Sequence, residues 1–200
     1  QRSAGLVDPA GSGPSPNPRP PRLEAEATWK GGHLLLFASG EAENAKSAPS
    51  GGTSKSSVGG AGGITYKTGM VSLHGSGYAG KGIGTTLMFN GVGSGSGFDN
   101  AVGTDGELRT SYGFYGQIAV TPAASKVTIA GSYGSSYLKS SKGDAVAFKT
   151  ENSLVSAGLY YQATKSLKAV WEGDYMWTKD HSGTGKNKAF TGAFGLMLFY

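Results

Sequence analysis

Between Leu167 and Lys179 the odd positions carry Leu167, Ala169, Trp171, Gly173, Tyr175 and Trp177, while the even ones include Lys168, Glu172, Asp174 and Thr178. A period of two puts alternate side chains on opposite faces of an extended chain, so the stretch reads as a strand with one apolar and one charged face. The end of the chain repeats the pattern. Phe190, Phe194, Leu196, Leu198 and Tyr200 share one face, and Thr191, Ala193, Gly195, Met197 and Phe199 share the other. A soluble sandwich could bury such a face, but its edges would need cover, and aromatic residues gathered at strand ends suit a lipid interface better. The expectation is an all-β chain forming the antiparallel wall of a transmembrane β-barrel.

Composition supports this fold class. Thirty-five glycines in 200 residues, with 16% charged residues, fit either disorder or β-structure with tight bends, and ten tyrosines with eight phenylalanines argue for structure that buries them. No window approaches the roughly 20 apolar residues of a membrane helix, and the mean hydropathy is slightly negative. Barrel strands alternate, so their hydropathy averages out. The absence of cysteine excludes disulfides and thiolate metal sites. The net charge of +5 comes from lysines scattered over loops and strands without a basic stripe, which argues against nucleic acid as a partner. The sequence opens on Gln1-Arg2-Ser3 with no signal-peptide pattern, and reads as processed, truncated or partial.

In chain order, Arg2 to Asp8 reads as the end of a strand and the prolines between Pro9 and Pro21 as a loop. Arg22 to Lys30 alternates, Gly31-Gly32 turns it, and His33 to Glu43 returns. Asn44 to Gly60 is expected as a long polar loop, followed by a hairpin of Gly62–Lys67 and Met70–Gly80 around Thr68-Gly69. Ile83 to Phe89 is a brief strand, and Gly91 to Arg109 another polar loop. Thr110 to Val120, Lys126 to Leu138, Glu151 to Tyr161, Leu167 to Lys179 and a last strand from Phe190 complete about ten strands. Connections alternate between two to five residues and roughly ten to thirty, the asymmetry of short periplasmic turns and long external loops.

Motifs for chemistry are weak. Gly75 to Lys81 has the spacing of a phosphate-binding loop, but Gly82 follows the lysine and no helical pattern opens there. Gly183-Thr184-Gly185-Lys186 is weaker still. Asp180-His181-Ser182 holds the residue types of a hydrolytic triad as sequence neighbours, which rarely face one another. His33 and His74 have no partner at metal-ligand spacing and read as solvated. No catalytic residue, metal site or cofactor is expected. The polar faces are expected to line a water-filled lumen through Arg22, Glu24, Glu26, Glu41, Glu43, Tyr115, Gln117, Lys126, Lys168, Glu172 and Asp174.

Several segments resemble the C-terminal half of the general-diffusion porins of the Gram-negative outer membrane. They are Ser111 to Gln117, Ser125 to Gly134, Ser156 to Tyr161 and Ser166 to Tyr175, with Ala4 to Pro9 and Ser72 to Tyr78 also similar. Gly192 to Tyr200 is similar to the terminal strand by which such barrels are received by the assembly machinery, although Tyr200 stands where phenylalanine is commoner. The resemblance implies a sixteen-stranded barrel, usually a homotrimer, embedded in bacterial outer-membrane lipid and passing small hydrophilic solutes by passive diffusion. Residues 1–200 would form one barrel domain, with the N-terminal strands and the constriction loop without counterpart. A non-conducting structural or adhesive barrel, whose long loops bind an external partner, is the alternative; an outer-membrane barrel enzyme is a more distant one.

Overall fold

The computed structural model describes residues 23–46, 54–83, 103, 105–144 and 149–199. They form a single antiparallel sheet of nine strands, each hydrogen-bonded to its sequence neighbours, and contain no helix. The strands are β1 (Leu23–Gly31), β2 (Leu34–Lys46), β3 (Ser54–Thr68), β4 (Val71–Lys81), β5 (Thr110–Val120), β6 (Val127–Leu138), β7 (Lys149–Gln162), β8 (Leu167–Asp180) and β9 (Lys186–Leu198). Arg2–Asp8, Tyr200 and most of the expected strand at Ile83–Phe89 lie outside the described residues.

Residues 32–33, 69–70, 121–126 and 163–166 connect the strands at one end of the sheet, and 47–53, 82–109, 139–148 and 181–185 connect them at the other. The first turn is Gly32-His33 rather than Gly31-Gly32: Gly31 pairs with Leu34, and Gly32 takes φ +53°, a left-handed value that glycine adopts at little cost. Two expected loops are shorter than the sequence indicates. The segment read as loop through Gly60 is strand from Ser54, paired with Lys46 on one side and continuing against β4 on the other. Its serines and glycines have poor strand propensity, but the β2 ladder along its whole length, joined by the β4 ladder from Val58, holds the backbone whatever the side chains are. Likewise β9 begins at Lys186, because Lys186 to Ala189 complete the pairing of Met176 to Lys179. Length asymmetry between the two ends therefore rests on 82–109 and 139–148.

Apart from a register shift between Lys149 and Glu151 at the start of β7, the pairing carries each strand's period across the sheet without inversion. One row runs Leu73, Ile118, Gly131, Ala157, Gly173, Gly192, and the next runs His74, Gln117, Ser132, Ser156, Asp174, Thr191. A one-residue slip at any pair would exchange the faces. The glycine at Gly113 is required by close approach: Tyr78 lies across it so that its hydroxyl meets Ser136 Oγ at 2.5 Å, two strands away. A Cβ on Gly113 would come within 2.8 Å of the Ser135 carbonyl oxygen and into the Tyr78 ring. Gly113→Ala is expected to cost about 1–3 kcal/mol through overpacking, read as a lower urea midpoint of refolded protein, with Gly116→Ala as the unobstructed control.

Burial in this sheet is inverted. Among the described residues the buried apolar side chains are few, Ile83, Ala130, Leu138, Leu154 and Ala169, while Ser57, Ser111 and Ser135 are almost fully covered. Large apolar residues stand outside: Ile118 is 49% exposed and Ile129 59%. A soluble fold would cover these groups in a second layer, and the described residues supply none.

Candidate functional site

The two faces of the sheet are the functional surfaces. The apolar face has aromatic residues at two heights with aliphatic residues between them. Near the long connections stand Tyr112, Tyr133, Tyr137, Tyr175 and Trp177; near the short turns stand Trp29, Tyr66 and Tyr161. Leu36, Ile64, Ile118, Ile129, Val155 and Leu159 fill the band between, all substantially exposed. The aromatic residues pack on one another: Tyr112 and Tyr137 stack with centroids 5.0 Å apart, Tyr133 and Trp177 at 6.2 Å. Rings at both rims of an apolar band are the arrangement of a lipid-facing wall, each ring keeping an apolar body in hydrocarbon and a polar tip in the headgroups.

The opposite face is polar. It brings Glu24, Glu26, Glu41, Glu43, Tyr115, Gln117, Lys168, Glu172 and Asp174 onto one side of the sheet, with Glu24 directly opposite Glu41 and Glu26 opposite Ser39. Lys126 stands one residue before β6, its carbonyl accepting from the Gln162 amide at 2.8 Å and its ammonium donating to the Ala163 carbonyl at 3.2 Å. Arg22 lies outside the described residues.

Several polar-face contacts were not anticipated. His74 Nδ1 and Thr65 Oγ1 lie 2.8 Å apart, and the His74 ring sits 5.8 Å from that of Tyr115. Tyr160 donates to Glu172 at 3.3 Å, and Ser156 donates to Asp174. Parity marks these residues, since His74 and Tyr160 alternate with Leu73 and Leu159. What parity lacks is the register that pairs them. The result is a hydrogen-bonded layer of hydroxyls, rings and carboxylates over β3 to β8.

The long connections are tied together at their bases. The Arg109 guanidinium and the Asp144 carboxylate form a bidentate pair between connections 82–109 and 139–148, with side chains only 3% and 1% exposed. Arg109 also donates to the Lys139 carbonyl at 3.3 Å, and Asp144 accepts from the Ser141 amide at 2.6 Å. Asp105 accepts from Ser141 Oγ at 2.5 Å; that bond and the Glu107 amide hold its carboxyl below the usual carboxylate range. Lys55 and Glu107 pair at 2.6 Å. No local sequence signal announces these ties, because their partners are tens of residues apart.

The motifs suggestive of chemistry resolve structurally. Gly75 to Lys81 is the body of β4, with no helix behind it to hold a phosphate. Ser182 donates to Asp180 at 2.6 Å and the Gly185 amide donates to Asp180 at 3.1 Å, so this carboxylate closes the turn into β9. His181 instead lines a notch with Glu151 and Tyr137. No group of three metal-ligating side chains converges among the described residues.

No family model matches the chain, and no curated protein is significantly similar to it. Among solved structures it is similar in fold to the crystal structure of the outer membrane channel DcaP of Acinetobacter baumannii. The TM-score is 0.70 at 14% sequence identity, over 90% of this chain and 51% of that one. The fold is that of an outer-membrane channel. The chain spans about half the length of the channel it matches. The porin-like architecture read from alternation and turn asymmetry is thus present as nine consecutive strands among the described residues.

Proposed function

We propose that this chain forms wall of a bacterial outer-membrane porin, a passive diffusion channel for small hydrophilic solutes and ions. The observation that carries the reading is the inversion of the sheet: an exposed apolar face rimmed by aromatics and a polar face with a continuous layer of hydroxyls and carboxylates. In a barrel the first face meets lipid and the second lines water. Residues 1–200 belong to one barrel domain of the general-diffusion type, completed to sixteen strands and assembled as a homotrimer, with the last strand as the segment the assembly machinery receives. The polar-face residues named above, Glu24 to Asp174, are its pore-lining groups. Planar-bilayer recording on refolded chain of verified mass tests the reading. Stepwise, long-lived openings are expected; silence from folded, membrane-inserted protein would sink it and favour a non-conducting barrel.

Wall charge should weight the flow. Glu24, Glu26, Glu41 and Glu43 sit together on adjoining strands of the polar face. Four unit charges about 10 Å from a permeating ion in water are worth roughly 1–2 kcal/mol before screening. Replacing all four by glutamine is therefore expected to lower the cation-to-anion permeability ratio by about two- to fivefold at moderate salt. The reversal potential across a KCl gradient measures it, and an unmoved potential would place these carboxylates away from the ion path.

A further inference from the structure

On β8 and β9 the lysines change face with height. Near the short turns, the strand lysines Lys30, Lys67 and Lys168 all stand on the polar face. At the long-connection end of β8 and β9, Lys179, Lys186 and Lys188 stand on the apolar face, just beyond the aromatic rim. Lys186 pairs with Lys179 and Lys188 with Trp177, and the Lys186 ammonium lies 5.3 Å from the Trp177 ring centroid.

The carboxylate nearest this cluster is already engaged. Glu151 accepts from Lys179 at 2.8 Å, from Ser153 at 3.0 Å and from Trp177 Nε1 at 3.2 Å. It neutralises one lysine, and Lys186 and Lys188, both exposed, have no carboxylate partner among the described residues. Beside Glu151 opens a notch of about 360 Å³ lined in part by Tyr112, Tyr137, Lys139 and His181. Below lie Phe190 and Val155, continuous with the apolar band.

We propose that this corner of the outer wall binds the phosphate headgroup of an anionic lipid, in the leaflet on the long-connection side. Lys186 and Lys188 hold the phosphate, Trp177 and its stacked neighbour Tyr133 mark the headgroup boundary, the notch receives the headgroup's polar remainder, and the acyl chains lie on the band below. Charge complementarity carries the assignment: cations on a lipid-facing wall are stable where the bilayer offers anions at the same depth. It rests on the apolar face meeting lipid but not on conduction.

The test uses tryptophan quenching in phosphatidylcholine vesicles containing a minor fraction of phosphatidylglycerol. In separate preparations one lipid or the other carries brominated chains at equal mole fraction, and Trp177→Phe isolates the contribution of Trp177. Brominated phosphatidylglycerol is expected to quench Trp177 in clear excess over brominated phosphatidylcholine. A surface lysine is worth about fivefold in such a preference. The K186Q/K188Q pair should therefore lose roughly 25-fold of it, while K186R/K188R retains it.

An excess that never appears, or that survives in the glutamine pair, overturns the proposal. So does loss of the excess together with a changed oligomeric state, which would assign the lysines to contact between copies. Quenching by neither lipid would overturn the lipid-facing wall as well. A silent channel with the excess intact would remove conduction alone and support the lipid site.

Discussion

Ile118→Arg is expected to destabilise the bilayer-inserted protein by about 2–4 kcal/mol, the cost of a guanidinium near the membrane midplane on the lipid face of a barrel. Ile118 sits in the middle of the apolar band, between the row of Tyr133 and Tyr175 and that of Tyr161. Gln117→Arg, one residue away, places the same group on the polar face beside His74 and Ser132, and is expected to change stability by well under half of that. Urea unfolding from lipid vesicles reads both. The contrast separates a membrane wall from a soluble sheet, because a side chain already 49% exposed to water would tolerate arginine easily. Equal, small effects at the two positions would mean that neither face meets lipid.

Asp144→Asn should open the bases of the long connections. The pair it breaks is almost wholly enclosed, and the arginine left behind keeps its charge without its counter-ion. Removing one member of such a pair costs about 3–5 kcal/mol, whereas replacing both by apolar residues of similar size is often near neutral. Faster tryptic cleavage after Lys139 and Lys142 is the expected readout, with Arg109→Met/Asp144→Leu returning most of the protection. The strands themselves should keep their hydrogen-bonded ladders, so heat-resistant migration of the barrel on gels should persist in the single variant. Unchanged cleavage would mean that Lys55–Glu107 and Asp105–Ser141 suffice to hold these segments.

The alternation of Leu23, Ala25, Ala27 and Trp29 against Glu24, Glu26 and Thr28, and of the odd and even residues of Leu167–Lys179, already sorts the residues of β1 and β8 onto an apolar and a polar face. Pleating is a local property of extended chain, so it needs no knowledge of what lies beside it. Boundaries failed where propensity and pairing disagree. Ser54 to Gly60 reads as loop because serine and glycine carry no strand signal, yet β2 pairs with all of it and β4 with its last residues from Val58.

By itself, then, the sequence determined that this chain is all-β, that its strands have one apolar and one polar face, and which carboxylates share the polar one. Tertiary structure decided the register that lets Tyr160 reach diagonally to Glu172, the enclosed Arg109–Asp144 tie, and the lysine corner of Lys179, Lys186 and Lys188 beside Trp177. The division is physical. A period of two is written in neighbouring residues, whereas a cross-strand pair or a tie between loops depends on residues far apart in sequence, and only the closed ladders fix which of many possible partners meet.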